Sequence, residues 1–264
     1  MSLPIISIVE NSPLLNINSS AIEFLPITYL SSGMLGDFIH QLSIVNENYR
    51  RSGRKGIIYM TERFEYFGWG LARTYEDIKP FLLTQNYIYD LRIHDGCSCD
   101  INLSIWRQDP NLFSWHTIFR RHYDVPWSDT PWFCTQGMTK YKNTVFISTS
   151  AKRYLNEFNY IKLINILGPD VRFLTSEKSN YDHFISLTGI TIPLVLASSF
   201  TEMVDAIQGC ALFVSTLSAP LAIADALHKK RLALIQFDSI DGPIAARTNP
   251  SFITDKSILD LIHL

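Results

Sequence analysis

Hydrophobic and polar positions alternate along the first third of the chain in a pattern that predicts strands around one long helix. FLPITYLSS and GIIYMT are short apolar runs and are predicted as buried strands, and the segment DFIHQLSIVNENYRRSG between them ends at Gly53. Within that segment the apolar residues recur at steps of three or four, at Phe38, Ile39, Leu42, Val45 and Tyr49. Such spacing indicates one buried helical face. LARTYEDIKPFLL, predicted as a helix interrupted or ended near Pro80, and the strand NYIYDLRI continue the alternation.

A second series of the same kind begins after residue 141. It comprises the predicted strands TVFISTS, VRFLT, IPLVLA, ALFVST and RLALIQF and the predicted helices KRYLNEFNYIKLINILG, DHFISLTG, SFTEMVDAIQGC and PLAIADALHK. From about residue 95 to residue 141, tryptophans and prolines interrupt the pattern, and we expect helix and loop there. The two series predict an α/β fold of two Rossmann-like domains, residues 1–140 and 141–264, which face each other across a ligand cleft.

Composition restricts the class of protein further. Of the 264 residues, 47% are hydrophobic and 18% are charged, which excludes a disordered chain. The net charge of −2 gives no general attraction for nucleic acid, and no local basic patch stands out. No apolar run approaches the roughly 20 residues that a membrane span needs. The leading segment MSLPIISIVENSP lacks the basic region of a signal peptide, so we expect a soluble, cytoplasmic protein.

The four cysteines are Cys97, Cys99, Cys134 and Cys210. The first two, in CSC, are closer together than the pair of a CxxC metal clip, and no HxxxH-type partner lies beside them. We therefore expect free thiols in a reducing compartment and no zinc site.

A glycine turn precedes the long helix. In SSGMLGDFIHQL, Gly33 and Gly36 allow a sharp turn and the close approach of a ligand to the backbone, and the free N–H groups of the helix start suit an anion. Asp37 lies in the first helical turn after a strand, where α/β folds bind their ligands. Its carboxylate is either a general base or a helix cap, and the spacing alone favours the cap.

A second turn lies in CALFVSTLSAPLAIADALHKKRLALI. The strand is predicted to end at Ser215 and Thr216, and the helix to begin near Pro220, because proline suits the first helical position. Free N–H groups and the hydroxyls of Ser215, Thr216 and Ser218 could hold a diphosphate without a metal. The alternative is an ordinary strand-to-helix loop with capping hydroxyls, which these residues by themselves favour.

SSGMLGDFIHQL resembles the N-terminal motif of the heptosyltransferase-like (family 9-like) GT-B glycosyltransferases, in which a serine and glycine turn is followed by Gly-Asp and a helix. SAPLAIADALHKKRLALI is similar to the donor-site segment of that family, and STSAKRYLNEFNYIKLINIL is similar to the segment after its first C-domain strand. The resemblance implies a diverged GT-B enzyme without a cofactor. It would be an inverting, metal-independent glycosyltransferase that moves a sugar from a nucleotide diphosphate sugar onto a hydroxyl acceptor such as a glycan.

The resemblance also assigns roles by position. Asp37 matches the acid that deprotonates the acceptor hydroxyl, and Lys152 or Arg153 matches the basic residue that binds the donor phosphate. The implied donor-binding residues are Ser148, Thr149, Lys152, Arg153, Ser215, Thr216, Ser218, Ala219 and Pro220. The implied acceptor-side residues are Gly33, Gly36, His40, His94 and Asp95.

Two positions depart from the family pattern. The family usually carries an acidic residue at the position of Leu217 and a histidine at the position of Ala222. These departures leave the identity of the donor undetermined. They also support an alternative, a catalytically inactive GT-B-like module that binds a nucleotide, a sugar or a protein. A nucleotide-sugar epimerase is a further alternative within enzymes.

Other candidates each have a structural alternative. His94 and Asp95 in RIHDG follow a strand and either face the cleft or form a polar turn. The mid-chain tryptophans either stack on sugar rings or fill the core between the halves; they are Trp106, Trp115, Trp127 and Trp132. A basic group nearby either grips an acidic acceptor or forms surface salt bridges; it consists of His116, Arg120, Arg121 and His122. The residues of DGPIAAR that could border the donor pocket are Asp241, Gly242 and Arg247.

Overall fold

The first half of the chain forms a parallel four-stranded sheet. The computed structural model describes residues 25–109, 115–125, 130–153, 158–234 and 252–253. The strands of the first sheet are β1 (Ile27–Ser32), β2 (Gly56–Thr61), β3 (Ile88–Ile93) and β4 (Ile101–Asn102), and its helices are α1 (Leu35–Ser52) and α2 (Leu71–Leu82). The strand order is β3-β2-β1-β4, and each neighbouring pair is parallel.

The second half forms a parallel sheet of six strands. Its strands are β5 (Val145–Ser148), β6 (Val171–Thr175), β7 (Leu194–Leu196), β8 (Leu212–Thr216), β9 (Arg231–Leu234) and β10 (Phe252–Ile253). The helices that follow the first sheet are α3 (Trp115–Tyr123), α4 (Tyr160–Leu167), α5 (Lys178–Thr188), α6 (Phe200–Gly209) and α7 (Ala219–Ala226). The strand order is β10-β9-β8-β5-β6-β7, again with parallel neighbours. The α/β fold of two Rossmann-like sheets is therefore confirmed. The domain boundary at residues 140 and 141 lies between the two sheets and stays a prediction.

Helix α1 shows how local sequence sets an element and its ends. Its apolar positions face the core, where Phe38, Ile39 and Leu42 are fully buried. The helix ends at Gly53, whose φ of 71° is left-handed and whose N–H donates a hydrogen bond of 2.7 Å to the carbonyl of Tyr49. Glycine adopts this conformation without steric cost, so the predicted end of the helix is confirmed.

One helix prediction needs correction. The helix predicted to begin at Lys152 begins only at Tyr160, where the side chain of Asn159 caps it by accepting a hydrogen bond of 2.9 Å from a backbone N–H. The prediction that α2 is interrupted or ends near Pro80 is confirmed, because the helix continues through Pro80 and ends at Leu82. A proline disturbs the turn that precedes it and lacks an N–H, and here only two helical residues follow, so its effect is confined to the end of the helix.

The segment from residue 95 to residue 141 contains more than the expected helix and loop. The two-residue strand β4 extends the first sheet beside β1, with Tyr29 opposite Ile101. Its pairing is supported by Asp100, whose carboxylate accepts hydrogen bonds of 2.8 Å from both the backbone N–H and the hydroxyl of Thr28. These contacts join residues 72 positions apart, which local periodicity does not show.

The two halves pack through a continuous apolar core. Helix α1 contacts α7, and α2 contacts α6. The rings of Phe81, Phe133 and Phe200 meet edge to face between the halves, with centroids 5.0 to 6.2 Å apart. Trp132 is 2% exposed and donates its indole N–H to the carbonyl of Ile39 over 2.9 Å. The packing therefore fixes how the two sheets face each other.

Several predictions lie beyond these observations. Among the described residues, no helix combines the length and the apolar character that crossing a bilayer requires. The cytoplasmic location stays a prediction. Trp127, Asp241, Gly242 and Arg247 lie outside the described residues, and so do the side chains of His116 and Arg153.

Candidate functional site

A cavity of about 830 Å³ lies between the two halves. Its walls come from the residues that follow β1, β2, β5, β6 and β8, and from the starts of α1, α6 and α7. The carboxyl ends of parallel strands are where open α/β sheets bind their ligands. The volume is within the range of cavities that enclose a ligand of drug size.

Asp37 lies on the first-half wall of this cavity. It is the third residue of α1, and Met34, not Asp37, occupies the N-cap position. Its carboxylate forms an ion pair of 2.5 Å with the guanidinium of Arg107, and the side chains of Asp37 and Arg107 are 24% and 16% exposed. The carboxylate is thus held in the wall of the cavity by a charged partner.

Arg107 also occupies the space beside the glycine turn. Gly33 has a φ of 118°, and a Cβ added there would collide with the guanidinium of Arg107. The protein's own side chain thus fills the space beside Gly33, and the approach of a ligand to the backbone there stays a prediction. The guanidinium packs 4.6 Å from the centroid of the Trp106 ring and lies 3.7 Å from a carboxylate oxygen of Glu65. Sequence reasoning missed Arg107, although it follows a tryptophan already singled out.

The second predicted turn forms the opposite wall. Ser218 is the N-cap residue of α7, and Ala219 and Pro220 are the first two residues of the helix. Proline therefore stands at the second helical position, not at the first. The Ser218 hydroxyl donates a hydrogen bond of 3.0 Å to the carbonyl of Thr216. All three residues of the helix start line the cavity, where backbone N–H groups of a first helical turn have no partner within the helix.

Ser215 and Thr216 do not line the cavity. Both are fully buried, because they end β8, which has neighbours on both sides in the six-stranded sheet. The Ser215 hydroxyl donates to the carbonyl of Thr216, and the Thr216 hydroxyl accepts a long hydrogen bond from the N–H of Ser150. These hydrogen bonds tie both residues to the turn, and their predicted role in donor binding stays a prediction without support from the cavity wall.

The end of β5 adds polar groups to the same wall. Ser148, Thr149 and Lys152 line the cavity, and the Lys152 side chain is exposed to it. Thr149 and Trp106 both line the cavity, and each has a buried polar atom, the hydroxyl and the indole N–H, without a hydrogen-bond partner among the described residues. A buried polar group without a partner costs about 1–3 kcal/mol, so these two atoms favour a polar ligand.

The two turns meet across the cavity. A Cβ added to Gly36 would lie 3.6 Å from the backbone nitrogen of Ala219, which is ordinary van der Waals contact. The start of α1, which carries Asp37, is therefore adjacent to the start of α7. The structure thus brings together the two segments that the sequence analysis paired.

Further contacts tie the halves together at the rim of the cavity. The indole N–H of Trp69 donates to the carboxylate of Glu177, and the carboxylate of Asp77 accepts a hydrogen bond of 3.0 Å from the N–H of Phe200. Trp69 lies between two glycines in the loop after β2, a pattern that could have marked it as a candidate. Sequence reasoning missed these residues.

His40 lies at the base of the cavity beside a buried acid. Its Nε2 is 3.6 Å from a carboxylate oxygen of Asp225, which in turn contacts the guanidinium of Arg231. Burial and, to a smaller extent, the positive charge of Arg231 together lower the pKa of His40 to about 3, so the imidazole is neutral at pH 7. Burial raises the pKa of Asp225 to about 6 against the opposing effect of Arg231. His40 is 8% exposed and touches the cavity from below.

Other candidates lie away from the cavity. His94 and Asp95 are not among its lining residues, because β3 is the edge strand farthest from β4 and the chain after it turns back toward Thr28. The cavity therefore gives no support to their acceptor role, which stays a prediction. Arg121 forms an ion pair of 2.6 Å with Asp109, which confirms salt bridging for this residue, and Nε2 of His122 lies 3.2 Å from the same carboxylate. Arg120 is exposed.

The structure also shows where the mid-chain tryptophans and the two residues that depart from the family pattern lie relative to the cavity. Trp106 and Trp115 line the cavity but are only 4% and 6% exposed, and Trp132 belongs to the core between the halves. Leu217 and Ala222 both line the cavity beside the start of α7. The wall therefore has apolar side chains where the resembling family carries an acid and a histidine.

No protein-family model matches the sequence, and comparison with curated proteins finds no match. Solved structures do share the fold. E. coli heptosyltransferase WaaC with ADP superposes with a TM-score of 0.58 at 10% identity, over 90% of this chain and 97% of that chain. E. coli ADP-heptose lps heptosyltransferase II has a TM-score of 0.56 at 13% identity, over 90% of this chain and 97% of that chain. A glycosyl transferase family 9 structure from Veillonella parvula DSM 2008 has a TM-score of 0.55 at 8% identity, over 82% of each chain. The chain thus has the fold of heptosyltransferases and family 9 glycosyltransferases, as the resemblance implied.

Proposed function

We propose that this chain is an inverting, metal-independent glycosyltransferase that moves a sugar from a nucleotide diphosphate sugar onto a hydroxyl acceptor such as a glycan. One observation carries the proposal: the start of α1 with Asp37 and the start of α7 meet at a single cavity, with Gly36 adjacent to Ala219. The structures that share this fold include a heptosyltransferase with ADP, which supports a nucleotide-linked donor.

In the proposed reaction Asp37 accepts the proton of the acceptor hydroxyl. The oxygen attacks the anomeric carbon from the face opposite the diphosphate, the bond between that carbon and the diphosphate oxygen breaks, and the configuration inverts. A general base must lie within hydrogen-bond reach of the proton that it takes. The ion pair with Arg107 would hold the carboxylate at the cavity wall for this step.

The leaving diphosphate would be bound by the second half of the site. Backbone N–H groups at the start of α7 attract an anion, the ammonium of Lys152 adds a positive charge to the same wall, and the Thr149 hydroxyl, which has no partner among the described residues, could donate to a phosphate oxygen. Such a set can stabilise the developing negative charge without a divalent cation. Leu217 and Ala222 would leave the sugar of the donor to be recognised by other cavity residues.

A thermal-shift panel with ADP-, UDP- and GDP-linked sugars tests donor binding. A ligand at 100 times its Kd stabilises the folded state by about 2.7 kcal/mol. For a chain of this size that corresponds to a rise in Tm of roughly 5 to 10 °C. If none of the nucleotide sugars or free nucleoside diphosphates raises Tm, the transferase proposal fails.

Asp37→Asn tests the base once a donor binds. The change should leave donor affinity within about twofold and lower the release of nucleoside diphosphate in the presence of acceptors by about 100- to 10,000-fold, the usual contribution of a general base. Asp182→Asn is the control, because Asp182 is an exposed carboxylate that does not line the cavity. Near-normal turnover in the Asp37 variant would remove Asp37 from the mechanism.

A catalytically inactive binding module is the second candidate, favoured by Leu217 and Ala222 in the cavity wall. It predicts that a nucleotide or nucleotide sugar raises Tm while no acceptor in a glycan panel releases nucleoside diphosphate. The Asp37→Asn variant would then match the unmodified chain in every measurement except the stability of the Arg107 contact.

A further inference from the structure

A second group of reactive side chains lies in the loop that joins β3 to β4. His94, Cys97 and Cys99 each place one potential ligand atom within 4.8 Å of the other two. Cys97 is exposed and Cys99 is half-buried, and both are free thiols. We expected no zinc site because the sequence has no CxxC or HxxxH spacing beside these cysteines. The fold of this loop, however, places an imidazole next to the two thiols.

The loop is held at both ends. At its start the N–H of His94 donates a hydrogen bond of 2.9 Å to the carbonyl of Met60 in β2. At its end the N–H of Asp100 donates a hydrogen bond of 2.9 Å to the Thr28 hydroxyl in β1. Between them Gly96 has a φ of 99°, which lets the chain turn back so that the cysteines approach the imidazole. The three side chains are therefore brought together by a defined backbone path.

The imidazole of His94 has the surroundings of a metal-binding histidine. Its Nε2 lies 2.8 Å from the backbone carbonyl of Cys97, and the ring meets the Tyr59 ring edge to face, with centroids 6.1 Å apart. In the tautomer in which Nε2 donates to that carbonyl, Nδ1 carries the lone pair that a metal needs. Histidines that bind metals usually donate their second ring N–H to a carbonyl or a carboxylate in this way.

We propose that His94, Cys97 and Cys99 form a binding site for a soft divalent cation, with Zn²⁺ as its representative. In tetrahedral coordination, with Zn–S near 2.3 Å and Zn–N near 2.0–2.1 Å, the ligand atoms would lie about 3.5 to 3.8 Å apart. In the structure the three ligand atoms lie within 4.8 Å of one another, and side-chain rotations in the exposed loop can bring them to the separation that zinc needs. Each thiol releases its proton to solvent when its thiolate binds, and water completes the fourth position.

The ligand set defines the class of cation. Two thiolates and an imidazole favour zinc and similar soft cations over Mg²⁺ and Ca²⁺, which prefer oxygen ligands. The site is separate from the cavity, because none of its three residues lines it. A bound cation would stabilise the connection into β4, from which the chain reaches Ser104, whose hydroxyl accepts a hydrogen bond of 2.9 Å from the N–H of Ser32 beside the glycine turn.

Metal binding is measured on the full chain after reduction and removal of metal with a chelator. Zn²⁺ is titrated in competition with a chromophoric chelator, and bound zinc is counted by mass spectrometry after gel filtration. We expect one Zn²⁺ per chain. With Co²⁺ as the probe, we expect thiolate-to-cobalt charge-transfer absorption and the intense visible bands of a tetrahedral ion.

Variants of the three residues locate the site. Loss of an outer partner of a metal ligand typically weakens metal binding by about 10- to 100-fold, so loss of a ligand in His94→Ala or in Cys97→Ser with Cys99→Ser should weaken it at least about 100-fold. Cys134→Ser is the matched control, because Cys134 is an exposed free thiol outside the loop, and it should bind as the unmodified chain does. Circular dichroism of the metal-free proteins checks that each variant folds.

Three results would overturn the proposal. One is the absence of stoichiometric zinc in the reduced chain. Another is equal affinity in the unmodified chain and the double cysteine variant. The third is cobalt absorption without a thiolate band, which would place the cation on other ligands. If His94→Ala does not fold, the double cysteine variant decides by itself, since it removes one exposed and one half-buried thiol.

Discussion

Removal of the Asp225 carboxylate should destabilise the protein far more than removal of an exposed carboxylate. Asp225 lies in α7, the helix whose start forms part of the candidate donor site. It contacts the guanidinium of Arg231, and the two side chains are only 8% and 14% exposed. In Asp225→Ala the charge of Arg231 would remain inside the protein without its carboxylate.

The expected magnitude follows from burial. Breaking a buried ion pair by removing one partner costs about 3–5 kcal/mol, because the remaining charge is left uncompensated. The pair formed by Asp182 and Lys178 is a matched control, with a separation of 2.6 Å but side chains that are 55% and 65% exposed. Exposed pairs contribute about 0–1 kcal/mol. Asp182→Ala should therefore have little effect on the free energy of unfolding.

Urea unfolding followed by circular dichroism measures both changes through the midpoint and the slope of the transition. A double variant, Asp225→Leu with Arg231→Met, removes both charges and should recover most of the loss, since replacing a buried pair by apolar residues of similar volume is often neutral. Equal destabilisation by Asp225→Ala and Asp182→Ala would refute the reasoning. A double variant as unstable as Asp225→Ala would show that the cause is lost packing and not a buried charge.

Three further changes test the packing and the site. Gly209→Ala should lower the free energy of unfolding by about 1–3 kcal/mol, because the added Cβ would collide with the carbonyl of Met138. Gly68 has open space around it, so Gly68→Ala should change the free energy of unfolding by less than about 0.5 kcal/mol in the same urea assay. Trp132→Phe should cost about 1–3 kcal/mol, since it removes a buried hydrogen bond to a carbonyl of α1 and leaves space in the core where the larger indole packs, and an unchanged midpoint would contradict this. Thr149→Val should raise the stability of the ligand-free chain by about 1–3 kcal/mol, because it removes a buried hydroxyl without a partner. It should also weaken nucleotide-sugar binding about tenfold by calorimetry, because a hydrogen bond to a charged group contributes about 1.5–3 kcal/mol, and equal affinity would exclude a direct contact.

Elements with local signals were predictable from the sequence. Strands β2 and β6 coincide with the apolar runs GIIYMT and VRFLT, and the end of α1 follows from Gly53. The start of α4 was also encoded locally, in Asn159, but the apolar periodicity of the preceding residues suggested a longer helix. Periodicity shows which face of a helix is buried, whereas the capping residue shows where the helix begins.

Elements that depend on distant residues were not predictable in this way. Strand β4 is two residues long, and its pairing with β1 depends on Asp100 and Thr28, which are far apart in the chain. The contact of Arg107 with Asp37 spans 70 positions and lies in the segment where the pattern breaks down. A charged pair of this kind has no periodicity, so only the folded chain reveals it.

Strand order explains which predicted site residues line the cavity. Ser148 ends β5 and Thr149 follows it, and the residues beyond the end of this central strand line the cavity. His94 follows β3, also at a carboxyl end, but β3 is an edge strand and the chain after it leaves the cavity. The rule that ligands bind at the carboxyl ends of strands therefore selects one side of a sheet, while the order of the strands selects the position along it. Because that order results from long-range pairing, the sequence predicted the type of site residues, and the fold decided which of them face a common ligand.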